Sequence, residues 1–178
     1  MKNKKLVALL GGIFLLLVVG YLIVNPGLLN VWPGEVKIDE NAYYPVSHVV
    51  DGDTFDVSVD GHDIRIRVLG INTPETVDPR KPVECYGPEA SAAAKELLDG
   101  RKVMLKYNPN REKRDKYGRY LLYAYRDDGL FVNEYMIQEG FAREYTFGTA
   151  YSMQKEFRKA ENAAKREEKG LWVKCTMP

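Results

Sequence analysis

Residues 55–71, FDVSVDGHDIRIRVLGI, decide the fold. Phe55, Val57 and Val59 alternate with polar residues, and so do Ile64, Ile66 and Val68. A period of two is the signature of a strand with one buried face. Gly61-His62, between the runs, reads as the connection of a hairpin. The second run places Arg65 and Arg67 opposite the isoleucines, because successive side chains leave a strand on alternate faces.

The same texture extends outward. PVSHVV (45–50) is a short apolar run that reaches Phe55 through the turn DGDT (51–54). KVMLKY (102–107) and GRYLLYAYR (118–126) bring the strands to five, with the charged loop NPNREKRD (108–115) between them. A helix is expected over PEASAAAKELLDG (88–100): Pro88 suits its first turn, Glu89 its positive end, and Gly100 the position just past its last turn. A second helix, FVNEYMIQEG (131–140), is closed by Gly140. A third, MQKEFRKAENAAKREEK (153–169), is expected to be capped by Ser152. Its stripe of Met153, Phe157, Ala160 and Ala164 faces the core and its Lys/Glu remainder is solvated. Gly170 ends it, and Leu171-Trp172 is expected to dock as a plug.

These elements predict an α+β domain, a small closed five-stranded OB-fold β-barrel with three α-helices. Such barrels often bind oligonucleotides, an analogy of fold only.

The first 24 residues differ from the rest. Lys2, Lys4 and Lys5 precede a run of 19 uncharged residues, Leu6 to Val24. At about 1.5 Å per residue that run approaches the roughly 30 Å hydrocarbon core of a bilayer. A retained transmembrane anchor is expected, with the lysines cytoplasmic and the remainder on the outer side. The alternative is a signal sequence, cleaved to leave a secreted protein, but no small-x-small site follows in VNPGLLNVWPGE. Beyond residue 40 the chain carries 22 Lys+Arg and 22 Asp+Glu. Zero net charge excludes a protein that grips nucleic acid by bulk electrostatics; a polyanion would have to meet a local basic site. Cys85 and Cys175 are the only cysteines. On the outer side of a membrane they are expected to form a disulfide, and two unrelated thiols are the other reading.

Four features carry chemistry. DGDT offers two aspartates, hard oxygen ligands suited to Ca²⁺ or Mg²⁺, although taken alone it is an ordinary β-turn. Arg67 is either an exposed charge or a fork presented from the sheet. In RDKYGR (114–119), Arg119 enters a strand just after Gly118, and its planar donors can hold two phosphate oxygens at once. Glu75 follows the rigid turn Asn72-Thr73-Pro74. Carboxylate ligands, two arginines and one further glutamate together suit phosphodiester cleavage: cation and arginines neutralise charge, and the glutamate acts on water. His48 and His62 lie in or beside strands and read as structural or exposed.

The ordered set DGDT, Arg67 with TPET (73–76), ECYGPEAS (84–91), DKYGR (115–119), VNEYMIQEGFA (132–142) and GLW (170–172) resembles the thermonuclease, or staphylococcal nuclease-like, family over about residues 44–173. The resemblance implies hydrolysis of DNA and RNA with one Ca²⁺, leaving 3′-phosphorylated products. Carried over by position, it implies Arg67, Glu75 and Arg119 as the catalytic trio. The metal ligands fall on the Asp53 carboxylate, the Asn72 side chain and the Thr73 carbonyl. Lys116, Tyr117, Tyr145 and Phe147 fall at substrate contacts. Two departures stand out. Position 72 is Asn where the best-known members have Asp, which removes a negative charge, and position 147 is Phe where they have Tyr, which removes a hydroxyl.

The organisation so read is a basic tip (1–5), an anchor or signal (6–24), a linker (25–41) and a nuclease domain (42–178). DNA and RNA are the expected partners, the membrane is met through the N-terminal helix, and no protein partner is implied. The competing function is a catalytically inactive OB-type nucleic-acid-binding module, and a barrel used only for protein contacts is a third. Neither explains why both arginines and the glutamate are present together.

Overall fold

The alternating stretch folds as a hairpin whose turn lies one residue earlier than expected. In the computed structural model, which describes residues 36–109 and 112–175 together with Tyr21, β2 (Thr54–Val59) and β3 (His62–Val68) pair antiparallel with Val59 opposite His62. The loop is therefore Asp60-Gly61, with φ of 51° and 78°. A two-residue hairpin loop with both φ positive matches the twist of its strands and favours Asp-Gly.

β1 (Tyr43–Val49), β2, β3, β6 (Tyr120–Arg126) and β5 (Lys102–Tyr107) form a closed barrel in that order, with β5 closing onto β1. All pairs are antiparallel except β3 and β6, which run parallel. The expected inward face is the core: Val57, Ile66, Val103, Leu105, Leu122 and Ala124 are wholly buried, and Phe55 nearly so. Closure leaves the barrel no unpaired edge.

The run expected as one strand over 63–71 is broken. At Gly70 φ is +81°, and a Cβ there would stand 2.8 Å from the rings of Tyr151 and Phe157. A side chain would be excluded on both counts. Past this kink, β4 (Ile71–Asn72) leaves the barrel and pairs with β7 (Arg143–Glu144) as a separate small sheet. That sheet was not legible in the sequence.

The three expected helices form as α1 (Gly87–Leu98), α2 (Val132–Gln138) and α3 (Gln154–Arg166), and the plug is a fourth, short helix, α4 (Leu171–Lys174). Ser152 does not cap α3. Its N–H and hydroxyl both donate to Asn108 Oδ1, at 2.9 and 2.7 Å, because that buried acceptor takes priority over the helix end. In the α3 stripe Phe157, Ala160 and Ala164 are buried while Met153 is half-exposed. Leu171 is fully buried, as a plug should be. Asn133 is fully buried in α2: it donates to the Leu69 carbonyl (2.8 Å) and accepts from the Ala124 N–H (2.9 Å), joining the end of β3 to β6.

The disulfide forms between Cys85 and Cys175, with Cα atoms 5.9 Å apart. The chain separates into Met1–Lys37 and the unit Ile38–Pro178. Ile38 is buried and Glu40 Oε2 accepts the Tyr107 N–H (3.0 Å), so packing begins inside the stretch read as linker. Apart from Tyr21, the expected anchor at 6–24 lies outside the described residues. Among the described residues no helix is long and apolar enough to cross a membrane.

Candidate active site

The turn 51–54 ends where β2 begins, and this places Asp53 beneath β3 and β4. Asp53 is 6% exposed. Its Oδ2 accepts from Thr73 N–H (2.9 Å), Thr73 Oγ1 (3.1 Å) and the Arg67 guanidinium (3.0 Å), and its Oδ1 accepts from Thr54 Oγ1 (3.1 Å). Arg67 itself is held by four acceptors. One terminal nitrogen donates to the carbonyls of Val68 (2.9 Å) and Ile71 (2.8 Å); the other meets Asn72 Oδ1 (3.0 Å) and Asp53. The kink at Gly70 makes this possible, since it turns the Ile71 carbonyl and Asn72 back toward β3. Arg67 is thus a positioned fork and not a free surface charge.

Asp51, the other aspartate of the turn, joins this group, although the family resemblance assigns it no ligand role. Its Oδ1 accepts the Asp53 N–H (3.0 Å). Burial, then the Asp53 charge, push its carboxyl up to about 6. Two carboxylates that repel one another at a half-buried, oxygen-rich turn are what a hard divalent cation relieves. The residues therefore fit one. The donors are carboxylates, an amide and a carbonyl, and among the described residues no cluster of three or more His, Cys, Asp and Glu forms.

Glu75 sits at the start of an open loop. Its Oε1 accepts three successive backbone N–H groups, from Thr76 (2.9 Å), Val77 (2.8 Å) and Asp78 (3.0 Å). These bonds, Val77's first, hold its carboxyl below the usual glutamate range despite some burial. The group is a fixed anion, aimed by the backbone of its own loop.

Across the site, Asp115 organises the loop before β6. Its Oδ1 accepts the N–H groups of Tyr117 (2.9 Å) and Arg119 (3.0 Å), and its Oδ2 takes Arg119 Nε at 2.7 Å. Gly118, with φ of +81°, permits the tight return. Lys116 Nζ and the Arg119 guanidinium lie 5.0 and 5.4 Å from the centre of the Tyr117 ring, which is 69% exposed. Arg67 is in register with Leu121 in the parallel β3–β6 pair, so Arg119, two residues earlier, shares its face. Exposed Arg80, paired with Asp78 through Nε (2.8 Å), lies within electrostatic reach of both Glu75 and Tyr117, so the two loops face each other.

Residues 65–174 match the family model described as staphylococcal nuclease homologue. Thermonuclease from Staphylococcus hyicus is 39% identical over 129 residues, 72% of this chain and 75% of that protein. The thermonuclease of Staphylococcus intermedius is 38% identical over the same shares. The SPbeta prophage-derived endonuclease YokF of Bacillus subtilis (strain 168) is 39% identical over 130 residues, 72% of this chain and 43% of that one. The chain belongs to the staphylococcal nuclease family. It is a nuclease, a hydrolase, as the sequence reading held.

Within this staphylococcal nuclease homologue, Asp53, Arg67, Asn72 and Thr73 are in direct contact, and Glu75 follows two residues on. Lys116, Tyr117 and Arg119 form a second cluster on the facing loop. Tyr145 and Phe147, 45% and 70% exposed, follow β7 on the Asn72 side, where Asn72 pairs with Arg143. Asp115 and Gly52 also serve the site, neither of them being among the site residues expected from the sequence. Gly52 supports the site by absence: a Cβ there would stand 2.6 Å from Thr73 Cγ2. The glycine of DGDT was a visible signal, but its reason is a residue 21 positions away.

Proposed function

We propose that this nuclease cleaves DNA and RNA internally without discriminating the sugar, depends on Ca²⁺ and leaves 3′-phosphorylated products. The observation that carries the reading is a glutamate fixed as an anion by three N–H groups, two residues beyond the Thr73 that holds Asp53, together with a carboxylate pair and a guanidinium with four acceptors. Asp51, Asp53, Asn72 and the Thr73 carbonyl would hold the cation. When bound, it neutralises charge on the phosphate and favours an ionised nucleophile.

The chain's own residues do the remainder. Glu75 orients a water and accepts its proton as the oxygen attacks phosphorus. Its depressed basicity suits orientation more than strong proton abstraction. The Arg119 fork binds the non-bridging oxygens as charge develops, and its Nε–Asp115 bond fixes the plane of that fork. Arg67, held in plane by the Val68 and Ile71 carbonyls, presents its other terminal nitrogen beside Asn72 and Asp53, where a phosphate oxygen would compete for it. The P–O5′ bond breaks, the leaving oxygen takes a proton from solvent water, and Glu75 returns the proton it accepted to solvent. Lys116 and Tyr117 take a neighbouring phosphate and base, and Tyr145 and Phe147 stack on bases, which suits single strands.

Incubating the 178-residue chain with single-stranded DNA and RNA, with Ca²⁺ and with EDTA, tests this directly. Cleavage only with Ca²⁺, and its loss by orders of magnitude in Glu75→Gln and Arg119→Ala variants that still fold, is the expected result. Binding without cleavage would make the domain a nucleic-acid-binding module.

The uncharged run 6–24 behind three lysines supports a nuclease anchored with its domain on the outer side, and the disulfide suits that compartment. N-terminal sequencing of membrane and soluble fractions tests it. A mature N-terminus beyond residue 24, found only in the soluble fraction, would make the protein secreted.

A further inference from the structure

The loop that aims Glu75 is closed at its stem by residue 84. Glu84 N–H donates to the Glu75 carbonyl (2.9 Å), and Glu75 N–H donates back to Glu84 Oε2 (3.1 Å). The same stem packs on α1, where a Cβ on Gly87 would stand 2.6 Å from Thr76 Cγ2 and 3.1 Å from the Glu75 carbonyl oxygen. The residue after Glu84 is Cys85, covalently joined to Cys175. Cys175 in turn donates its N–H to Leu171 (3.2 Å), the buried anchor of α4, whose own N–H donates to Gly140 (2.9 Å). Phe141, next along, stacks on Tyr86 with ring centres 5.9 Å apart. The circuit therefore runs from the glutamate through residues 84–86 to the C-terminal helix and back through an aromatic pair.

Most of this stem is exposed. Glu84, Cys85 and the loop residues Val77, Arg80 and Val83 are open to solvent, so little apolar burial holds them in place. A loop with exposed backbone hydrogen bonds and few buried contacts opens locally at low cost. The covalent link supplies the restraint that burial does not.

We propose that the Cys85–Cys175 disulfide, acting through Glu84, is a positioning element for Glu75, which makes the oxidised protein the fully active form. The inference rests on Glu75 acting on the attacking water. Neither sulfur touches substrate; both act on where the carboxylate and its three N–H donors stand. Small misplacements of an acting group are costly in rate, so kcat is the parameter that should fall.

The test uses the whole chain as the Cys85→Ser/Cys175→Ser double variant, and as wild type reduced by dithiothreitol, which cyclises as the two thiols form. In both, kcat on single-stranded DNA should fall about tenfold or more, with KM within about threefold of the oxidised wild type. Amide exchange at Thr76, Val77 and Asp78 should accelerate about tenfold while Ile66 and Leu122 keep their protection. Reoxidation should restore the reduced wild type, and dithiothreitol should do nothing to the double variant. Glu84→Ala should reproduce the loss, and Glu84→Gln, which keeps an oxygen for the Glu75 N–H, should recover most of the rate.

Unchanged kcat and loop exchange in the folded, disulfide-free protein would overturn the proposal. So would exchange rising equally across barrel and loop, with kcat falling only as the folded fraction falls; the disulfide would then be a general staple. If Glu75→Gln were fully active while loop exchange responded as expected, the error would lie in the role given to Glu75 and not in the restraint.

Discussion

Replacing Gly52 with alanine should damage the site from beneath, without touching a chemical group. The ideal Cβ would lie 2.6 Å from Thr73 Cγ2 and 2.8 Å from both Thr73 Cβ and Oγ1. Ordinary carbon contacts sit near 3.5–4.0 Å, so Thr73 must retreat by about 1 Å. Its N–H, now 2.9 Å from Asp53 Oδ2, and its hydroxyl, at 3.1 Å, would then both pass out of hydrogen-bonding range. Each is a bond to a buried carboxylate, worth about 1.5–3 kcal/mol, so Gly52→Ala should cost about 3–5 kcal/mol. Urea unfolding of the metal-free protein, with the disulfide intact, measures this as a lower midpoint at unchanged slope. Calorimetry should show weaker Ca²⁺ binding as well, because Asp53 and Thr73 both move. A double-mutant cycle with Thr73→Ser, which deletes the nearest atom, should return about 1–2 kcal/mol of the loss. A Gly52→Ala protein within about 1 kcal/mol of wild type would refute the packing argument.

Asp51 gives a pH dependence with a definite sign. Its carboxyl is raised from 3.8 to about 6 in the folded state, so its contribution is fully present below 3.8 and is lost as pH rises through about 6. Asp51→Asn should therefore stabilise the metal-free protein at pH 7 by up to about 3 kcal/mol, and flatten the fall in stability between pH 4 and 6, while weakening Ca²⁺ binding. Asn72→Asp should tighten Ca²⁺ by on the order of 1–2 kcal/mol in calorimetry, the gain trimmed by the Arg67 contact already at 3.0 Å; no change would show that position 72 is not a ligand. Asn133→Leu should lose about 3 kcal/mol or more in denaturant unfolding, since it orphans the buried Ala124 N–H and Leu69 carbonyl.

What the sequence determined by itself was whatever depends on neighbours along the chain. Period-two alternation at 55–71 fixed which faces of β2 and β3 are buried, and so put Arg67 on the side away from the core. Glycines, prolines and the apolar stripe of 153–164 bounded the three helices. The ordered motifs named the family, because their order and spacing survive without any geometry. The tertiary structure decided what depends on residues meeting across the fold. Gly70 must be a glycine because Tyr151 and Phe157 arrive from 81 and 87 positions away, and the resulting kink gives Arg67 its Ile71 and Asn72 acceptors. Ser152 left the helix cap expected of it because Asn108, remote in sequence, offered a buried acceptor. Asp51 became a member of the site only when burial and the Asp53 charge could be seen acting on it. Hydrophobic period and turn preference are local quantities. Close packing, carboxylate repulsion and the sharing of buried acceptors are set by distances in space, which no reading along the chain supplies.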